Sequence, residues 1–166
     1  MRSSQSLPRF YLFLLLLLAT STAQAQNKDF SASNGAFSFK APAAFQKVSD
    51  APPSALIALE VPGYGVSFLS ERQEVVELET DVFAKEMRKK LSDSGAQVLG
   101  SAQANLEGRP AVSFLVGGVK AGKESLFVFN TRADHTYVFV LNYPVGSRQD
   151  AAELWQDIAP TIRFKK

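Results

Sequence analysis

The chain has 166 residues, is 46% hydrophobic and 20% charged, and contains no cysteine. That balance builds one globular domain with a real core and excludes both a disordered chain and a disulfide-stapled miniature. The missing thiols exclude cysteine catalysis and thiolate metal sites, and a formal charge of +2 is too small to mark a nucleic-acid binder.

Arg2 and Arg9 flank a polar start, residues 10–19 form an uninterrupted apolar run, and Ala23-Gln24-Ala25 places small residues at the positions signal peptidase requires. A spanning helix needs about 20 apolar residues, so the run is too short for an anchor. The pattern predicts a secretory leader over residues 1–25, cleaved between Ala25 and Gln26, and a periplasmic or secreted product without a membrane anchor. Loss of Arg2 and Arg9 leaves basic and acidic side chains in balance. A neutral domain has no overall electrostatic attraction for nucleic acid or an anionic membrane.

Residues 26–35 are polar and read as a flexible lead-in to a single domain over 36–166. Phe37-Ser38-Phe39-Lys40 alternates apolar and polar, as a strand with one buried face does. Strands are also predicted at Ala55–Val61 and Val66–Ser70, joined by the turn residues Pro62-Gly63-Tyr64-Gly65. A helix runs from Thr80 or Asp81 to Ser94, with Val82, Phe83, Met87 and Leu91 as its apolar stripe and Gly95 as its stop. Gln97–Leu106, Ala111–Val116, Glu124–Thr131 and Thr136–Tyr143 read as successive strands, with a tight turn at Glu107-Gly108. Ser147 to Asp150 resembles a capping box before a helix striped by Ala151, Leu154, Trp155 and Ile158; Pro160 ends it, and Ile162–Phe164 adds a last strand. The fold class is therefore α+β, an antiparallel β-sheet flanked by helices.

This order resembles the PsbP-like superfamily, which includes small exported bacterial proteins. The passages that carry the likeness are Phe37–Pro42, Leu106-Glu107-Gly108-Arg109-Pro110-Ala111, the aromatic strand Thr136–Leu141 and the ending Ile158–Phe164. The resemblance implies an α/β/α sandwich and a protein that assists complexes instead of catalysing a reaction. It transfers no catalytic residue, because the matching positions serve packing and turns, and it transfers no photosynthetic role.

Chemistry has few candidates. His135, beside Asp134, is the one histidine, and no serine stands in a G-x-S-x-G elbow; a hydrolase would need a site assembled in space. Glu71, Glu74, Glu77, Glu79 and Asp81 supply oxygen ligands, and Glu77, Glu79 and Asp81 are the weak metal candidates, without the glycine and bidentate glutamate of an EF-hand loop. Gly63-Tyr64-Gly65 and Gly117-Gly118 lack phosphate-loop spacing, so no cofactor is implied. Tyr64, presented between glycines, is a candidate partner anchor. Lys85 and Lys89, with Arg88 and Lys90 and the hairpin residues Lys120 and Lys123, are candidates for a docking face. The leading expectation is a non-catalytic protein-binding or assembly module with a protein partner in the cell envelope. A small-ligand or divalent-metal-binding protein and a hydrolase are the alternatives.

Overall fold

The computed structural model describes residues 26–74, 80–133 and 135–165, and at positions 80–82 and 84 it describes the backbone alone. In chain order the elements are β1 (Asn27–Ser31), β2 (Phe37–Pro42), β3 (Gln46–Lys47), β4 (Ala55–Val61), β5 (Val66–Gln73), α1 (Thr80–Asp93), β6 (Gln97–Leu106), β7 (Arg109–Gly117), β8 (Lys123–Thr131), β9 (Thr136–Pro144), α2 (Arg148–Ile158), a 3₁₀ turn (Ala159–Thr161) and β10 (Arg163–Phe164). A seven-stranded antiparallel sheet has the order β3-β4-β5-β9-β8-β7-β6, and β1-β2-β10 form a smaller one. The chain leaves the large sheet after β5, crosses through α1, re-enters at the far edge as β6, and returns strand by strand until β9 pairs with β5.

Side chains alternate across a strand, so the central strands feed two cores. On β9, Tyr137, Phe139, Leu141 and Tyr143 face one way and Val138 and Val140 the other. The first face packs against the small sheet and α2. There Phe37 stands edge-on to Phe139 at 5.3 Å and to Tyr137 at 6.0 Å, joining the two sheets. The second face packs against α1, whose Phe83 meets Phe129 at 5.3 Å and Phe114 at 6.0 Å. Met87 and Leu91 continue that stripe, as their spacing predicts. Gly95, at φ 80°, ends α1: the Ala96 N–H reaches the Leu91 carbonyl at 2.9 Å and the Gly95 N–H that of Ser92. This crossed pair of bonds needs a left-handed residue at the glycine position.

Two expectations give way. Residues 26–35, read as loose, contain β1, paired along its whole length with β2. The reason is Phe30, buried against Phe39 at a ring distance of 5.7 Å, followed by buried Ala32, two apolar anchors in an otherwise polar segment. The capping box at Ser147 is not formed, since its side chain makes no capping bond. The helix start is held instead by Arg148, which grips Glu124 with two hydrogen bonds of 2.8 and 3.2 Å.

The Leu106–Ala111 passage is a structural clamp. Glu107 sits at φ 50° in its turn and accepts the Phe164 N–H at 3.2 Å and an Arg132 N–H at 3.3 Å. Arg132 also donates to the Leu106 carbonyl and lies 3.8 Å from the centre of the Phe164 ring. Burial lowers the Arg132 pKa, and the Glu107 carboxylate opposes that shift. The clamp ties β10 to the β6–β7 turn, consistent with positions that serve packing.

Candidate functional site

α1 covers only part of its sheet face. Its rings reach β7 and β8, its backbone runs against β6, and Val138, Val140 and Leu69 join the same cluster from β9 and β5; towards Glu60, Ser67 and Asn142 no helix covers this face among the described residues. An open groove of about 560 Å³ lies there. Val48 and Pro52 line it at the β3–β4 edge, Lys120 and Lys123 at the β7–β8 loop. Its floor carries Glu60, Ser67 and Asn142 in register across three strands, and buried Ser125 continues the row on β8 behind it. The Ser125 hydroxyl donates to Asn142 Oδ1 at 2.7 Å, and Asn142 Nδ2 donates to Ser67 Oγ at 3.0 Å. Such a floor offers hydrogen bonds, and its lysines offer positive charge.

Three loops meet at the end of the sheet beside the groove. The β4–β5 turn presents Tyr64, which is 56% exposed, between Gly63 and Gly65 at φ 79° and 68°. A side chain on Gly65 would stand 3.6 Å from Pro144 and 3.9 Å from Lys123, so this turn abuts the other two loops. The β7–β8 loop exposes Val119 (47%) and the β9–α2 loop exposes Val145 (63%). The Val145 N–H reaches the Gly122 carbonyl at 3.1 Å, tying those loops together. Among the described residues, the other large apolar side chain this exposed is Leu99, on the edge strand β6. Large apolar groups left in water and gathered at one place mark an interaction surface.

The loops stand on a support in which Glu124 and Tyr143 are buried and Arg148 is largely exposed. Glu124, on β8, is bound by Arg148 and lies beside Tyr143, on β9. Burial first, and then the Glu124 carboxylate, push the Tyr143 phenol up to about 12. The hydrogen bond to Glu124 raises the Arg148 pKa in turn. The network fixes the strand ends on either side of Lys123 and Val145.

The candidate residues named from sequence separate into groups. Tyr64 is at the loop cluster, with Lys120 and Lys123 beside it. Lys85 and Lys89 are exposed on α1, which packs along β6, four strands from β5 and therefore roughly 19 Å away across the sheet. The structure does not unite them with Tyr64. Val119 and Val145 were missed; the available signal was an apolar residue set next to glycine in a predicted loop. Glu77, Glu79 and Asp134 lie outside the described residues, as do the Asp81 side chain and Ala25. Gln26 precedes β1, and its carbonyl accepts the Ala43 N–H. Among the described residues, no three His, Asp or Glu side chains converge on a metal site. Glu71 accepts a hydrogen bond from Ser54 at 2.7 Å.

His135 is at the opposite end of the sheet, in the β8–β9 loop. The six residue steps along β9 from Thr136 to Asn142 cover about 20 Å. The groove serines are thus beyond its reach, and a Ser–His pair does not form there. Among the described residues, no helix is long and apolar enough to cross a membrane.

Neither a protein-family model nor a curated protein matches the sequence. Solved structures do match the fold. The solution structure of PsbP (CyanoP) from Synechocystis sp. PCC 6803 aligns with a TM-score of 0.62 at 14% identity, over 85% of this chain and 94% of that one. The Ran-binding protein Mog1p of Saccharomyces cerevisiae aligns with a TM-score of 0.58 at 12% identity, over 85% and 96%. A Bacteroides thetaiotaomicron structure aligns at 0.57 and 13%, over 85% of this chain and 49% of that one. The chain has the PsbP-like α+β fold that its motifs suggested.

Proposed function

We propose that this protein is a non-catalytic, exported binding or assembly module that docks another protein through its three-loop end and the adjoining groove. The observation that carries this reading is the exposure of Tyr64, Val119 and Val145 on loops that contact one another, above the hydrogen-bonded Glu124–Arg148–Tyr143 network. Tyrosine is a frequent interface anchor, because it brings large apolar area and a polar tip at small entropic cost. Lys120 and Lys123 select a partner segment with acidic character, and the Ser67–Asn142 row provides hydrogen bonds to its polar groups. Two proteins of this fold, PsbP and Mog1p, align over nearly their whole lengths, and Mog1p is a Ran-binding protein. A protein-binding role therefore has a precedent on this architecture.

The leader over residues 1–25, its cleavage before Gln26, and a single domain in the periplasm or outside the cell belong to the same proposal. The start of β1 at Asn27 agrees with it, since cleavage before Gln26 removes none of the described strands and helices.

The test is capture from the native host with the wild-type chain and with Tyr64→Ser, Val119→Ser and Val145→Ser combined. One protein recovered in stoichiometric amount by the wild type and lost with the triple variant supports the reading. Equal recovery by both contradicts it, as does turnover of a small substrate that the triple variant retains.

A further inference from the structure

A sheet has two edges, and this one guards them unequally. At the β3–β4 edge the outer strand is two residues long and carries Lys47, with Pro52 and Pro53 before β4 and Pro62 after it. These are ordinary devices against edge-to-edge pairing. The other edge is β6, ten residues from Gln97 to Leu106, with no charged residue and no proline. Two features touch it: the register shift between Val98 and Gly100, which protects only the beginning, and Arg88 of α1, whose guanidinium donates to the Ser101 hydroxyl at 2.8 Å. From Ser101 to Asn105 every residue is exposed, and among the described residues no strand pairs with the outer side.

The direction of the backbone groups follows from the turn. Glu107 and Gly108, at φ 50° and 75°, form a two-residue hairpin connection, so Leu106 and Arg109 exchange hydrogen bonds. Ladder bonds alternate, hence Ala104 and Ala102 also face β7, while Ser101, Gln103 and Asn105 turn their N–H and C=O groups outward. These three are evenly spaced and open.

We infer that this edge pairs with the β6 edge of a second copy of the same chain, antiparallel and centred on Gln103. In that register Gln103 meets Gln103 of the other copy, and Ser101 meets Asn105. Ala102 and Ala104 face each other between them. About six backbone hydrogen bonds form, two for each outward-facing pair. The strand is compatible with itself in a way the other edge is not. Neither strand carries a charged residue, Ala102 and Ala104 are small, amide meets amide at Gln103, and the Ser101 hydroxyl meets the Asn105 amide. The interface is small and polar, so the association is reversible and depends on concentration. It uses the edge farthest from the groove and stands or falls separately from the docking reading.

The test exploits the absence of cysteine. In the full chain expressed with its leader, Gln103→Cys places two thiols opposite each other across the axis. Their Cα separation of about 5.5 Å suits a disulfide. Mild oxidation should convert this variant to a covalent dimer at least tenfold faster than Lys40→Cys, an exposed position on β2. Sedimentation of the wild type should show monomer and dimer exchanging with concentration, and Gln103→Lys should weaken the dimer at least tenfold by opposing two positive charges. Gln103→Lys alters only an exposed side chain, so it tests the pairing without endangering the fold. A wild type that stays monomeric at every concentration overturns the inference. Equal crosslinking at positions 40 and 103, or a dimer indifferent to Gln103→Lys, overturns it as well.

Discussion

Tyr143→Phe removes one hydroxyl from the support beneath the loops, and two effects follow. The residue is 2% exposed and its phenol lies against the Glu124 carboxylate. A hydrogen bond to a charged group contributes about 1.5–3 kcal/mol. Arg148 still holds Glu124 by two bonds, which places the neutral-pH loss near the lower figure, about 1.5 kcal/mol. The second effect concerns pH. The folded phenol titrates at about 12, against about 10 when unfolded. Folding therefore favours the protonated form, and its contribution is complete below pH 10 and lost as pH rises towards 12. After allowance for solvent screening the swing is about 1–2 kcal/mol. Urea unfolding of both proteins at closely spaced pH values measures this directly. The gap between wild type and variant should be constant up to about pH 9.5 and then close as the wild type alone loses stability. A gap of constant width through pH 12 would refute the buried, carboxylate-linked phenol.

Four further outcomes follow from particular contacts. Phe37→Ala empties the junction of the two sheets, where the ring meets Tyr137, Phe139 and Phe164 within 6.0 Å, and should cost about 3–5 kcal/mol in chemical denaturation. Ser70 is fully buried on β5, and its hydroxyl has no partner among the described residues. Ser70→Ala should raise stability by about 1 kcal/mol, and a clear loss would contradict that reading. Arg132→Met breaks the clamp between the β6–β7 turn and β10. It should cost about 2 kcal/mol and raise hydrogen exchange at the Phe164 amide, whereas an unchanged amide would deny the tie. Tyr64→Ser with Val145→Ser should leave the unfolding free energy nearly unchanged, within about 0.5 kcal/mol, because both side chains are exposed; a large drop would make them part of the fold instead of a docking surface.

Much of this architecture is legible in the sequence because its core signals are periodic. The alternation along residues 136–143 assigns each side chain to the correct one of two cores, and the spacing of Phe83, Met87 and Leu91 places α1 on one of them. The stop at Gly95 is visible for a local reason, since few other residues accept that backbone angle. What stayed hidden is non-local. β1 is polar but for Phe30, and its pairing depends on a partner strand instead of on its own pattern. The start of α2 resembles a local cap, yet its fixing partner is Glu124, more than twenty residues earlier in the chain. The site is legible only in part. Tyr64 stands out between two glycines, but its neighbours Val119 and Val145 belong to different loops, and only the strand order brings those loops together. Lys85 and Lys89 attract notice as part of a charge run, and the same strand order separates them from Tyr64.

The docking surface is tested most directly by site-specific photocrosslinking in the native host, with a photoreactive residue placed at 64, 119 or 145 and, for comparison, at 85 or 89. The account predicts one shared adduct from the three loop positions, absent from the two helix positions. Adducts from 85 and 89 with none from the loops would contradict it, and would move the interaction to the α1 face.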